Sequence, residues 1–285
     1  MGEPDNYRAK IVLSIAALVL IVSIVLLFLK FSSGPDFKIV FLNVGQGDSA
    51  LIRFPGGAKM LVDCGPNREV LNKLGEYLPF YDRTIDYLVI THPDTDHYGG
   101  CSDVLKRYEV KKIITNGNEK DGDPYWQVWK KYLALEGAEE SVVTANYELN
   151  DSGAIIKFFS PTSETARTSD NNSSLAFRLT YGTTTVFFTG DIEERAENDI
   201  LSRYCATTTI VASCDLLESQ YLKVAHHGSD SSSGEDFLKA VSPQYAIISV
   251  GKNRFGHPSL RVTRKLERVG AEVWRTDEKN DIIIR

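Results

Sequence analysis

Hydrophobic and polar positions divide the chain into two unlike parts. From Ile11 to Leu29 it reads IVLSIAALVLIVSIVLLFL, without a charge and with only Ser14 and Ser23 as polar interruptions. At a helical rise this run spans roughly 28 Å, about the hydrocarbon thickness of a bilayer. A buried core helix seldom runs so far without a polar face. The apolar stretch of a cleaved signal is shorter, ~7–15 residues, and ends in small residues; here the run leaves through Lys30-Phe31-Ser32-Ser33-Gly34-Pro35. The pattern predicts a tail (1–10), a transmembrane anchor (11–31) and a linker (32–36). Arg8 and Lys10 precede the span, and Lys30 and Lys38 follow it. That small bias favours a single-pass protein of the cell membrane with its large domain extracytoplasmic.

From residue 37 the apolar runs shorten. Phe37–Asn43, Ser49–Phe54, Lys59–Cys64, Asp86–Thr91 and Lys112–Thr115 read as strands, with Asp86–Thr91 apolar enough to be buried on both faces. Two strand pairs follow, Ser141–Leu149 with Ile155–Ser160 and Ser174–Tyr181 with Thr184–Thr189, the second turning at Gly182-Thr183. Further strands are expected at Tyr221–Ala225, Tyr245–Val250, Glu272–Arg275 and Asp281–Ile284. Helices are expected at Ser102–Arg107, Glu193–Tyr204, Glu235–Ala240 and Ser259–Val269. No internal linker or short repeat divides residues 37–285. They predict one mixed α/β (α+β) domain whose strands fill two sheets.

Composition narrows the classes. The 32 basic and 38 acidic residues leave a net charge of −6, the wrong sign for a protein that coats nucleic acid with a broad basic face. With 42% hydrophobic and 25% charged residues, wholesale disorder is excluded. Four cysteines exclude a disulfide-dense scaffold. Cys205 and Cys214 are close enough in sequence to pair outside a cell, whereas Cys64, at the end of an apolar strand, reads as a buried thiol.

The chemistry sits where strands stop. Asp86–Thr91 runs into His92-Pro93-Asp94-Thr95-Asp96-His97, four potential metal ligands within six residues. Lys59–Val62 ends in Asp63, Val186–Thr189 in Gly190-Asp191, Tyr221–Ala225 in His226-His227-Gly228-Ser229, and Tyr245–Val250 leads to Gly256-His257-Pro258. All five histidines of the chain follow an apolar strand, and α/β folds place active sites at the carboxyl ends of strands. Buried, so many imidazoles and carboxylates would each cost several kcal/mol unless paired or metallated.

The H-x-D-x-D-H run, Asp63, Thr189-Gly190-Asp191 and the later histidines resemble the metallo-β-lactamase superfamily. Within it, FLNVGQGDSALI (41–52), THPDTDHYGG (91–100), NNSSLAFRL (171–179), FFTGD (187–191), LKVAHHGS (222–229) and FGHPS (255–259) resemble the extracellular hydrolase-like domain of ComEC-type competence proteins, which import transforming DNA. The resemblance covers residues 37–285. It implies an αββα sandwich with a two-metal hydrolytic site at one edge of the sheets. Two positions depart from the superfamily's common pattern. Asp94 stands where a second histidine is usual, and Asn171 and Asn172 occupy the region of another. Oxygen donors there imply a harder site, tolerant of Mn²⁺ as well as Zn²⁺. ComEC-type proteins also carry a multi-helix channel, which one span cannot form, so a separate channel subunit would be needed.

The implied roles are these. His92 and Asp94 hold one divalent ion, Asp96 and His97 the other, and Asp191 bridges both. His226 or His257 completes the second site. A water acidified between the ions attacks with Asp96 at the reacting centre, and His227, or whichever late histidine is not a ligand, protonates the leaving oxygen. Asp63, Asn171 and Asn172 support the ligands from behind, while Ser173, Ser174 and Ser229 are candidate phosphate contacts. These roles predict a membrane-anchored, metal-dependent hydrolase, foremost a phosphodiesterase or nuclease acting on single- or double-stranded DNA. The alternatives are a hydrolase of a small ester, lactone or cyclic phosphodiester, and a non-catalytic binding domain of a DNA-uptake apparatus.

Overall fold

The computed structural model describes residues 4–32, 36–165, 171–207 and 212–285. Six strands come first: β1 (Lys38–Phe41), β2 (Ala50–Arg53), β3 (Lys59–Val62), β4 (Thr84–Ile90), β5 (Glu109–Thr115) and β6 (Glu139–Val142). The next are β7 (Glu148–Asp151), β8 (Ala154–Ser160), β9 (Ala176–Tyr181) and β10 (Thr184–Phe188). A ribbon of β11 (Ala206–Thr207) and β12 (Ala212–Ser213) precedes β13 (Tyr221–Lys223), β14 (Tyr245–Ile248), β15 (Glu272–Arg275) and β16 (Ile282–Ile284). They form two seven-stranded sheets, ordered β16-β1-β2-β3-β4-β5-β6 and β15-β14-β13-β10-β9-β8-β7. Each sheet is antiparallel at one side and parallel at the other. β3 to β6 run parallel in the first sheet, and β10, β13, β14 and β15 in the second.

Side-chain alternation builds the layers. Val89 of β4 faces the second sheet beside Phe158, Phe177 and Phe188, in the core between the sheets. Its neighbours Leu88 and Ile90 face the other way, against the helices Glu69–Tyr77, Cys101–Arg107 and Pro124–Glu136. In β14, Ile247 faces the first sheet, while Ala246 and Ile248 meet the helices Glu194–Tyr204, Glu235–Val241 and Leu260–Arg268. Strands buried on both faces explain the near-continuous apolar runs, and the architecture is the expected αββα sandwich.

Three expectations need correction. The run Ser141–Leu149 is not one strand: β6 closes the first sheet and β7 opens the second, with the left-handed Asn146 (φ 73°) turning the chain between them. The helices Glu69–Tyr77 and Pro124–Glu136 add to the expected ones, the second despite local signals, a capping Asp123, Pro124 in the first turn and a left-handed Gly137 after its end. Cys64 is not a free thiol but is bonded to Cys101. Gly100 makes this approach possible, because a Cβ there would lie 2.4 Å from the carbonyl oxygens of both Cys64 and Asn67. Cys205 and Cys214 form the second disulfide.

Before the sandwich lies the helix Pro4–Ser32, where the large apolar side chains from Ile11 to Val25 are exposed. Among the described residues, no helix is long and apolar enough to cross a membrane. Residues 1–3 of the expected tail, 33–35 of the linker and the side chains of 4–9 and 26–32 lie outside the described residues.

Candidate metal centre

The parallel strands of both sheets deliver their carboxyl ends to one edge. β3 supplies Asp63, β4 the run from Thr91 to His97, β10 Asp191, β13 His226 and His227, and β14 Ser249. Residues 94–98 pass from extended backbone at Asp94 into the single turn Thr95–Tyr98. That turn swings Asp96 and His97 back over the strand end.

His97 is fully buried and held from behind. Asp63 accepts the Thr91 N–H and hydroxyl, both at 2.8 Å, and lies 2.8 Å from His97 Nδ1 through Oδ2. A proton on Nδ1 satisfies that carboxylate and leaves the lone pair on Nε2, which points to Asp191 Oδ2 at 3.3 Å. His227 is oriented in the same way. Its Nδ1 lies 2.8 Å from the Ser249 carbonyl, and its Nε2 faces Asp96 Oδ2 at 3.2 Å and Asp191 Oδ2 at 3.6 Å. Behind His227 is a buried ion pair, Lys223 Nζ to Asp48 Oδ2 at 2.5 Å, with Asp48 Oδ1 3.4 Å from the His227 Nδ1. His92 stacks 4.2 Å from His97, ring to ring.

The inner atoms of this cluster face one another without making a hydrogen bond among the described residues. His92 Nε2, His97 Nε2 and Asp191 Oδ1 are buried without a hydrogen bond, a state that costs roughly 1–3 kcal/mol per group. Among the described residues, three sets converge closely enough to hold a cation: His92 with His97 and Asp191, Asp96 with His97 and His227, and, behind the His97 ring, Asp48 with Asp63 and His97. Borderline nitrogen and hard oxygen donors in this proportion suit a divalent transition metal, so the residues fit the expected ions.

The charge balance leads the same way. Burial opposes ionisation of Asp191, but the neighbouring His97 and His227 rings override it and hold its carboxyl well below the usual range. Burial likewise works against a charged His97, yet Asp191 and Asp63 push its pKa well above 6.5. For His227, Asp191 and Asp48 overcome burial and push the pKa up to about 10. Asp96, although buried, is lowered by His227 and His97. Imidazolium protons thus occupy the positions that a divalent ion would take, and binding would expel them.

Asp94 joins the site differently. Its Oδ2 lies 3.4 Å from His92 Nε2, and its other oxygen is bonded to the Lys120 ammonium, from the loop before Pro124–Glu136. Despite partial burial, His92 and Lys120 hold the Asp94 carboxyl low.

The other late histidines stand at the mouth. His226 places Nε2 3.9 Å from Asp191 Oδ2, while its Nδ1 lies 3.3 Å from Ser231 Oγ and 3.9 Å from Glu193 Oε1. The His257 ring is 5.6 Å from that of His226, and burial with the neighbouring His226 and His227 lowers its pKa. His226 and His227 both adopt left-handed backbone, φ 49° and 53°, a costly conformation for non-glycine residues that concentrates at functional sites. The structure therefore brings His227, rather than His226 or His257, against Asp96 and His97.

The remaining expected residues part company. Asn172 Oδ1 accepts the N–H groups of Glu193 and Ala196, and its amide donates to Glu193 at 2.9 Å, so it anchors the start of Glu194–Tyr204. Asn171 reaches the same carboxylate at 3.5 Å. Both reach Glu193, whose Oε1 lies 3.9 Å from His226 Nδ1. Ser173 and Ser174 are corrected as phosphate contacts. Both are fully buried, Ser173 Oγ accepting from Asn116 and Asn118, and Ser174 Oγ from the Asp191 N–H. Ser229 lies outside the cluster, with its hydroxyl 3.1 Å from that of Ser231. Asp48, Lys223, Lys120, Glu193 and Ser249 were not expected, and only Asp48 and Lys223, each within a quoted motif, carried a local signal.

Comparison with known proteins agrees with this fold. The chain is 29% identical to ComE operon protein 3 of Bacillus subtilis over 91% of its own length, and 31% identical to Competence protein ComA of Neisseria gonorrhoeae over 85%. It spans about a third of those relatives, 34% and 31% of their respective lengths. Among solved structures, the metallo-beta-lactamase fold protein YhfI from Bacillus subtilis superposes with a TM-score of 0.55 at 15% identity, covering 88% of this chain and all of that one. The family model of the metallo-beta-lactamase superfamily matches residues 42–252, and the chain belongs to that superfamily.

Proposed function

We propose that the protein is a membrane-anchored, metal-dependent phosphodiesterase that acts on DNA outside the membrane. The observation that carries hydrolysis is the cluster of His92, His97 and Asp191, whose buried inner atoms converge without a hydrogen bond among the described residues. His92 and Asp94 would hold one divalent ion, Asp96, His97 and His227 the other, and Asp191 both. Bound ions would acidify water and neutralise charge developing on a phosphoryl group. His226, backed by Ser231 and Glu193, is placed to hold a proton for the leaving oxygen.

The choice of DNA rests on charge and relatives. Residues 36–285 carry 29 basic and 36 acidic residues, a net −7. Against that background, Lys252, Arg254, Arg261 and Arg264 are exposed on the segment around His257. Competence is named in a relative, as quoted above. The apolar run at 11–29 supports an anchor, and two disulfides support an oxidising compartment.

The test is turnover of a chromogenic phosphodiester, of single- and double-stranded DNA and of a carboxylic ester, by wild type and Asp191→Ala, after chelation and again after adding Mn²⁺ or Zn²⁺. The expected result is metal-restored diester and DNA cleavage in wild type and none in the variant. Ester turnover alone moves the substrate class. Activity that survives chelation removes the metal mechanism, and no turnover of any substrate leaves a binding domain.

A further inference from the structure

A second feature of the centre's mouth is unexplained by hydrolysis alone. The loop from Gly251 to His257 carries a Phe255 that is 64% exposed. Leaving such a ring in water forgoes the gain of burying it, and nothing about the loop makes the exposure an accident of slack. Asn253 fixes it from within. Its Oδ1 accepts the N–H groups of Phe255 at 3.0 Å and His257 at 3.1 Å, and its amide donates to the carbonyls of Gly251 and His257 at 2.9 and 2.7 Å. The loop's base is clamped as well: Gly251 packs so tightly on Gly45 that a Cβ would lie 2.4 Å from its carbonyl carbon. Phe255 is therefore held outward by a rigid frame.

The ring also has a direction. Its centroid lies 5.8 Å from that of His257, with the planes at 34°, and His257 is 5.6 Å from His226. His226 in turn reaches to 3.9 Å from Asp191. A row of aromatic rings thus leads from the metal cluster to solvent. Lys252 and Arg254 precede Phe255 in sequence, and Arg261 and Arg264 follow on Leu260–Arg268; all four are exposed, and none forms an ion pair among the described residues. An exposed aromatic face between cations is the arrangement that binds an unpaired base and its phosphates: the ring stacks on any base, and the cations follow the backbone. A base within a duplex is already stacked on both sides and cannot use it.

Resting on the phosphodiesterase reading, we propose that Phe255 is a stacking platform for a base of single-stranded DNA, with Lys252, Arg254 and Arg261 on its phosphates, and that it sets the strand's position over the metal centre. Stacking of one base predicts an effect of about 5- to 150-fold.

The test uses the full chain in detergent, loaded with Mn²⁺, as wild type, Phe255→Ala and Phe255→Trp. Two quantities are measured: kcat/KM on a single-stranded 12-mer relative to a chromogenic diester that has no nucleobase, and the anisotropy-derived Kd for a non-cleavable phosphorothioate 12-mer. Phe255→Ala should lower that ratio and raise the Kd by at least fivefold, Phe255→Trp should restore both, and an abasic 12-mer should bind wild type and Phe255→Ala alike. Equal losses on the oligonucleotide and the small diester, or a Kd indifferent to residue 255, would overturn the platform. The hydrolase reading fails separately: if wild type cleaves neither substrate yet its Kd still depends on Phe255, the platform stands and hydrolysis falls.

Discussion

Replacing Asp63 by Asn tests how the centre is held without touching a proposed ligand. Asp63 is 1% exposed and receives three groups at 2.8 Å: the Thr91 N–H, the Thr91 hydroxyl and His97 Nδ1. Its backbone is left-handed, φ 55°, a region Asn tolerates as well as Asp, so backbone strain does not confound the change. The amide keeps one acceptor, which suits the Thr91 N–H, and turns its NH₂ toward His97 Nδ1. That nitrogen must then accept, the ring proton moves to Nε2, and the lone pair facing Asp191 is lost. Loss of such a supporting group typically weakens metal affinity 10- to 100-fold, about 1.4–2.8 kcal/mol. The metal-free fold should lose about 1–3 kcal/mol, since bonds to a charged acceptor become bonds to a neutral one. The assay is competition for Zn²⁺ against a chromophoric chelator, with thermal unfolding of the metal-free protein alongside. One of two ions should bind 10- to 100-fold more weakly in a folded variant. Wild-type affinity for both would refute the claim that Asp63 sets the His97 tautomer.

Other outcomes follow from the same geometry. His227, with a folded pKa of about 10 against 6.5 for the free ring, gives the metal-free protein stability that is fully present below pH 6.5 and is lost as pH rises toward 10. Asp191 and Asp96, held below 3.8, contribute stability present above that value and lost in acid, so metal-free unfolding should show its maximum between about pH 4 and 6.5. Over the alkaline limb metal affinity should rise with pH, because His97 and His227 must give up their protons; a pH-independent Kd from calorimetry at pH 6 and 8 would contradict this. The Cys64→Ser/Cys101→Ser double variant opens a bridge across 37 residues behind the His97 turn and should cost about 2–4 kcal/mol by denaturant titration; a midpoint equal to wild type would show that the bridge does not brace the fold. The full chain should remain with membranes after alkaline carbonate washing, and release of an intact, full-length chain would remove the proposed anchor.

Much of this was legible because apolar strand runs and their terminal ligands are local. The strand before His92 and the Asp63 and Asp191 turns all show in short windows, and the resemblance converts them into an αββα sandwich. What escaped depends on contacts between distant residues. Lys223 meets Asp48 across 175 positions, and Lys120 reaches Asp94 from a loop with no motif. His226 and His227 are neighbours in sequence, and only their left-handed backbone sends one ring inward and the other to the mouth. Ser173 and Ser174 look available in sequence, but the packing of Asn116, Asn118 and Gly190 claims them. The Ser141–Leu149 run failed because two strands of different sheets share one hydrophobic stretch, a distinction periodicity does not carry.

The central claim is that six side chains from three strand ends form one two-metal centre. Anomalous diffraction from crystals of the Mn²⁺- or Zn²⁺-loaded protein tests it most directly. Two peaks about 3.5–4 Å apart are predicted, bridged by Asp191, with His92 and Asp94 on one and Asp96, His97 and His227 on the other. No ordered metal at saturating concentration, or ions bound by His226 and His257 with His227 still turned to Asp96, would contradict it.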